Sequence, residues 1–132
     1  MKLSLKKAHL AEMIEHAKHE FPNEACGFLA GKSRKVSKVY RMANTERGGM
    51  RFTMALKEQF DAARDMRSQD LDMVGIYHSH PNVRPYPSFR DIQLAMHPEC
   101  SYVIVSLING MPEVRSFRIK NSMVEEEEID AG

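Results

Sequence analysis

The residues best suited to chemistry lie in Tyr77-His78-Ser79-His80-Pro81 and, after a short loop, in Ser88-Phe89-Arg90-Asp91. The stretch Leu71 to Tyr77 reads as a β-strand with Val74 and Ile76 on one face. A strand repeats every two residues, so His78 and His80, if still extended, project their imidazoles the same way. Pro81 has no N–H to donate and ends the ladder. Two same-side imidazoles and one carboxylate make the ligand set of a catalytic zinc whose fourth position is left to water. Asp91 is the candidate carboxylate. Ser88 and Asp91 also read as a capping box, which satisfies orphan N–H groups at a helix start. The two readings are compatible, because a carboxylate in a first helical turn is rigidly placed. The Ser88 hydroxyl would then sit beside the metal, where it could donate to a developing oxyanion. Taken alone, His-Ser-His-Pro also fits two histidines exposed in a loop by accident; the surrounding chain decides.

The elements that must position these residues are legible in outline. Leu10, Met13, Ile14 and Ala17 form the apolar stripe of a helix over about Leu5 to His19, with His9, His16 and His19 as solvated surface residues. Phe21-Pro22-Asn23 breaks it. Glu24 to Gly31 reads as a short apolar strand with Glu24 at its entrance and Cys26 as a small packing residue. Without the downstream histidines, Glu24 would be read as a solvated strand end, since a buried carboxylate needs a partner. Val36 to Met42 alternates as a half-buried strand and forms a hairpin with the one before. Asn44 to Gly49 is a polar loop, Met50 to Thr53 a brief strand, and Met54 to Ser68 a second helix with Thr53 as its N-cap. Ser88 to about Met96 is a third helix. Tyr102 to Leu107 is nearly all apolar, as in a strand buried on both faces. Asn109-Gly110 marks a two-residue hairpin turn into Glu113 to Ile119. Val124 to Ile129 reads as an edge segment or solvated tail, with Glu125 to Glu128 a solvated face. The fold class is α/β, with about three helices around a mixed sheet.

At 132 residues this is one domain, 1–132, large enough for a proper core. A net charge of +1 leaves no electrostatic footprint for nucleic acid or an anionic membrane. No apolar run is long enough to span a bilayer, and the N-terminus turns polar too soon for a signal peptide. Two cysteines, Cys26 and Cys100, make neither a disulfide framework nor a structural zinc site. The expected location is cytoplasmic. The ten methionines read as core gap-fillers.

Glu24, then His78-x-His80-Pro81, six residues, and Ser88-x-x-Asp91 resembles the JAMM motif of the MPN-domain metalloproteases. The resemblance covers roughly Phe21 to Leu107. It implies a curved mixed sheet of cytidine-deaminase-like architecture and one zinc ion per chain, held by His78, His80 and Asp91. Glu24 would be the general base acting on the zinc-bound water and Ser88 would help hold the oxyanion. It further implies a peptidase or isopeptidase acting after the C-terminal Gly-Gly tail of a ubiquitin-like protein. The short chain is similar to the compact bacterial and archaeal members, whose substrates are ubiquitin-fold sulfur carriers. An extended tail could add as a strand along Arg51, Phe52 and Thr53, with Arg84 and Tyr86 on the proline-stiffened loop as further contacts.

Other classes fit less well. A zinc deaminase needs His-x-Glu and Pro-Cys-x-x-Cys, and neither occurs. A nuclease or phosphoesterase would normally use more carboxylates and often two metals. A silent MPN-type scaffold with a structural metal has no use for Glu24. The sequence leaves a homodimer open and does not identify the leaving group.

Overall fold

Seven strands and three helices follow one another in the described residues, 1–46 and 49–132, of the computed structural model. They are β1 (Lys2–Ser4), α1 (Lys7–Glu20), β2 (Cys26–Lys32), β3 (Lys35–Met42), α2 (Leu56–Ser68) and β4 (Asp72–His80), then α3 (Phe89–Leu94), β5 (Ser101–Ser106), β6 (Glu113–Lys120) and β7 (Met123–Asp130). The mixed sheet runs β1-β3-β2-β4-β5-β6-β7 and closes into a barrel. The expectation of a mixed sheet with three helices is met, and the sheet that the family resemblance implied to be curved is here closed into a barrel. The closure comes from two segments of low apolar content. β7 pairs in parallel with β1, Leu3 opposite Ile129, and β1 meets β3 at Ser4 and Lys35. Val124 to Ile129 is thus neither edge nor tail.

Each face of the sheet carries a helix. Met13 and Ala17 of α1 pack with Leu3, Leu29, Val74, Tyr77, Val103 and Val105 on one face. Ala62 and Met66 of α2 pack with Cys26, Phe28, Ala30 and Met42 on the other. Burying such side chains supplies the main favourable term, roughly 1.5–3 kcal/mol for each large apolar residue. His16 belongs to the first core: it is buried, and its Nδ1 lies 2.8 Å from the Tyr77 hydroxyl. That corrects the reading of it as a surface residue, while His19 is exposed and His9 half-buried. Tyr77 can lie flat against β2 because residue 27 is glycine. A Cβ there would fall 2.2 Å from the Tyr77 ring.

Turn chemistry also differs from expectation. The two-residue hairpins are Ser33-Arg34 and Asn121-Ser122, all four at positive φ as such turns require. Asn109-Gly110 instead sits in the longer connection between β5 and β6, where Gly110 takes φ +73. Met50 to Thr53 forms no strand; the segment is tied back by one antiparallel bridge, Asn44 to Met54. Helix α2 begins at Leu56 after an Ala55 N-cap without a side-chain cap, so Thr53 caps nothing. Of the loop read at Asn44 to Gly49, Arg47 and Gly48 lie outside the described residues.

Candidate active site

Strand register builds the site. β4 extends through His80, so His78 and His80 both lie in the ladder and share a face. Cys26 of β2 pairs with His78, and the Ser79 N–H donates to the Ala25 carbonyl at 3.0 Å, carrying the pairing one residue past β2. Glu24 therefore falls opposite His80 on the same face. The Ser79 hydroxyl, on the opposite face, accepts from the Ala25 N–H at 2.7 Å and fixes that segment. Asn44 holds it from the other side, donating to the Glu24 carbonyl at 2.9 Å. Across the loop, α3 starts at Ser88 with the expected capping box. The Asp91 N–H donates to the Ser88 hydroxyl oxygen, and the Ser88 N–H donates to Asp91 Oδ2 at 2.9 Å.

The three candidate ligands converge. His78 Nε2 and His80 Nε2 are 3.1 Å apart, and each is 3.1 Å from Asp91 Oδ2. A tetrahedral ion with bonds of about 2.0–2.1 Å has ligand–ligand edges of roughly 3.3 Å, so the triangle matches that spacing closely. The protonation pattern asks for a cation as well. His80 Nδ1 lies 2.9 Å from the Arg84 carbonyl, which can only accept, so Nδ1 carries the proton. In the neutral ring Nε2 is then a bare lone pair facing a carboxylate oxygen. A metal ion among the three donors would remove that conflict, and the carbonyl would then set the His80 tautomer as outer partners of metal ligands do. Burial alone would lower the His80 pKa, but the contact with Asp91 and the Arg84 carbonyl outweigh it and raise it. Burial likewise opposes ionisation of Asp91, yet the two imidazoles hold its carboxyl well below the usual range.

Glu24 is 5% exposed, and its Oε1 has no hydrogen-bond partner among the described residues. Burial pushes its pKa up, against the opposing pull of His78 and His80. A buried carboxylate without a partner is costly and is found where the group has a task. It can take up a proton close to the triad.

An apolar groove of about 480 Å³ opens beside His78 and Asp91. Its floor is one register row, Phe28, Ile76 and Tyr102, from β2, β4 and β5. Arg51 and Phe52 line it, and the Phe52 ring stacks on His78 at 4.7 Å. Thr53 is not in the lining; its N–H and hydroxyl go to Asn44 and Glu46. Arg84 and Tyr86 lie outside the groove: the Arg84 carbonyl meets His80, and the Tyr86 ring packs on Phe117. The sequence reading missed Asn44, Ser79, Arg90 and the floor of the groove. Period two carried a signal for Ile76, two residues before His78; Arg90, which lines the groove next to Asp91, had none.

A mixed barrel with this His-x-His and helix-borne aspartate is a JAB/MPN-type arrangement. The chain belongs to the Prok-JAB family, the prokaryotic homologs of the JAB domain, whose model matches residues 6–120. It is 38% identical to the CysO-cysteine peptidase of Mycobacterium tuberculosis over 121 residues, covering 89% of this chain and 83% of that protein. It is 33% identical to the desampylase of Haloferax volcanii over 100 residues, with 74% and 72% covered. A solution structure from Desulfitobacterium hafniense superposes with a TM-score of 0.86 at 40% identity, covering 98% of this chain and 91% of that one. A JAB1/MPN domain protein from Archaeoglobus fulgidus matches the fold at a TM-score of 0.60 and 20% identity, with 98% and 99% covered. Relatives named as a peptidase and a desampylase support a hydrolase of peptide or isopeptide bonds. Among the described residues no helix is long and apolar enough to cross a membrane.

Proposed function

We propose that the chain, as a single domain over 1–132, hydrolyses the amide bond after the C-terminal Gly-Gly tail of a ubiquitin-fold carrier protein. The observation that carries this reading is the buried, partnerless Glu24 carboxylate on the same face as His78, His80 and Asp91. The names of the relatives support the substrate class. The free, buried Cys26 and Cys100 suit a reducing compartment, and we place the enzyme in the cytoplasm.

His78, His80 and Asp91 would hold one zinc ion, which when bound supplies Lewis acidity, making water acidic near neutral pH and polarising the scissile carbonyl. The chain's own groups do the rest. The apolar groove takes the extended tail, with Phe52 and Arg51 at its wall, and excludes water from the reacting bond. Glu24 accepts a proton from the attacking water as the new C–O bond forms, then delivers it to the amine as the C–N bond breaks. The Ser88 oxygen already accepts from the Asp91 N–H, so its own hydrogen is free to donate to the oxyanion.

The test is hydrolysis of a Gly-Gly-extended ubiquitin-fold carrier by zinc-loaded wild type and Glu24→Gln, with metal content measured on both. The expected result is one zinc per chain in each and a fall in kcat of about 10²–10⁴-fold in the variant. Equal rates would remove Glu24 from the mechanism. No cleavage by zinc-loaded wild type would overturn the hydrolase reading.

A further inference from the structure

The loop between His80 and Ser88 carries an arrangement that bond cleavage alone does not use. Pro81, Pro85 and Pro87 are buried, so the loop is anchored and its φ angles are fixed at three positions. Arg84 stands exposed on it, its guanidinium 4.8 Å from the centre of the Tyr86 ring. Tyr86 is braced in turn, edge-on, against the fully buried Phe117 at 5.4 Å. Stacking of this kind pre-organises a guanidinium while leaving its forked N–H donors open. Arg84 forms no ion pair among the described residues. Arg41, Arg51, Arg90 and Arg115 all have carboxylate partners.

Its position relative to the triad assigns the open donors a task. The groove reaches the triad at His78 and Asp91, and His80 is not part of its lining. His80 stands on the same face two residues further along β4, beyond the end of the groove, and the Arg84 carbonyl holds its ring. A tail lying in the groove therefore brings its last carbonyl to the triad from the His78 side. The departing amine would then leave on the His80 side, where the Arg84 backbone lies.

We infer that Arg84 reads a carboxylate on the leaving group. The departing amine then belongs to an amino acid or very short peptide with a free C-terminal carboxylate. In a single departing amino acid that carboxylate lies two bonds from the scissile nitrogen, where the planar fork can take it with two parallel hydrogen bonds. A lysine side chain of a conjugated protein offers no charge at that distance. This assignment rests on the hydrolase reading of the site and narrows it to one kind of leaving group.

The experiment compares a ubiquitin-fold carrier ending in Gly-Gly-Ala as the free acid with the same carrier ending in the alanine carboxamide. Alanine avoids a thiol that could ligate metal. Wild type is expected to prefer the acid by about tenfold in kcat/KM, the worth of one charge-assisted contact at an exposed site. Arg84→Gln should bring that ratio to about one, and Arg84→Lys should leave it between the two. A wild-type ratio near one, or an unchanged ratio in Arg84→Gln, overturns the assignment. Binding supplies an independent reading. Acetyl-Gly-Gly-Ala acid and amide are titrated by NMR into zinc-loaded Glu24→Gln and Glu24→Gln/Arg84→Gln. A preference for the acid that the second variant loses supports the role of Arg84 even if no carrier is cleaved, a result that sinks only the hydrolase reading. Equal affinity for acid and amide overturns the role of Arg84.

Discussion

Replacing Glu24 by glutamine should stabilise the metal-free protein while lowering kcat of the zinc-loaded one by about 10²–10⁴-fold. Glu24 is 5% exposed, and its Oε1 is buried without a hydrogen-bond partner. A buried polar atom left unpaired costs about 1–3 kcal/mol, and more when it is charged. Glutamine keeps the shape and removes the charge, but its amide must also be buried, so the net gain should be about 1–2 kcal/mol at pH 8. The pH dependence fixes the sign. Burial raises the folded-state pKa of Glu24 above its unfolded value. In acid both states are protonated and the group contributes nothing. As pH rises past the usual carboxylate range, the unfolded chain ionises first and wild type loses stability, until the folded-state pKa is passed and the penalty levels off. The variant escapes that loss, so its advantage should be near zero in acid and grow as pH rises above the usual carboxylate range. For a domain of this length the net gain amounts to roughly 3–8 °C in Tm. The assay is thermal and urea unfolding of chelator-treated wild type and Glu24→Gln between pH 4 and 8. A destabilised variant at pH 8, or an advantage that does not change with pH, would refute the claim that Glu24 is held ionised at a cost.

Two further outcomes follow from the same structure. Zinc in excess should raise the melting temperature of the chelated protein, by about 4 kcal/mol of linkage, or roughly 10–15 °C, at a thousand times Kd; thermal scans of His80→Ala and Asp91→Ala should show almost no shift. Glu127, whose side chain is 2% exposed, accepts from Arg34, Ser101 and Ser116. Glu127→Ala should therefore cost about 3–5 kcal/mol in urea unfolding, and far less when introduced with Arg34→Met, because the damage is an uncompensated buried charge. A loss below about 1 kcal/mol, or an equal loss in both backgrounds, would show that the cluster does not hold the barrel closed.

What could be read in the sequence follows the range over which each rule acts. His78, His80, Ser88 and Asp91 were legible because strand alternation and helix capping act over two to four residues, and both hold here. Glu24 needed the pairing of β2 with β4, fifty-odd residues away, and no local pattern encodes that register; the family resemblance supplied it. His16 carries a local signal of the same kind. Met13, His16 and Ala17 stand at i, i+3 and i+4, which is the buried stripe of α1, and a histidine there finds the Tyr77 hydroxyl as its partner. Asn109-Gly110 is a strong local turn signal, yet the turn it marks lies in a longer connection between β5 and β6, while Asn121-Ser122 makes the tight hairpin. The acidic run shows most clearly why charge alone misleads. Glu125, Glu126 and Glu128 are exposed as expected, but β7 must pair with β6 on one side and β1 on the other, and that turns Glu127 inward. Its carboxylate is tolerated there because Arg34, held at φ 63 in the β2–β3 turn, and the hydroxyls of Ser101 and Ser116 all reach it. Arg34 also donates to the Lys2 carbonyl of β1. One buried glutamate thus ties together β1, the β2–β3 turn, β5, β6 and β7. The residues that look most like a solvated tail are the ones that close the barrel, and the closed barrel holds β2 and β4 in the register that brings Glu24 to His78, His80 and Asp91.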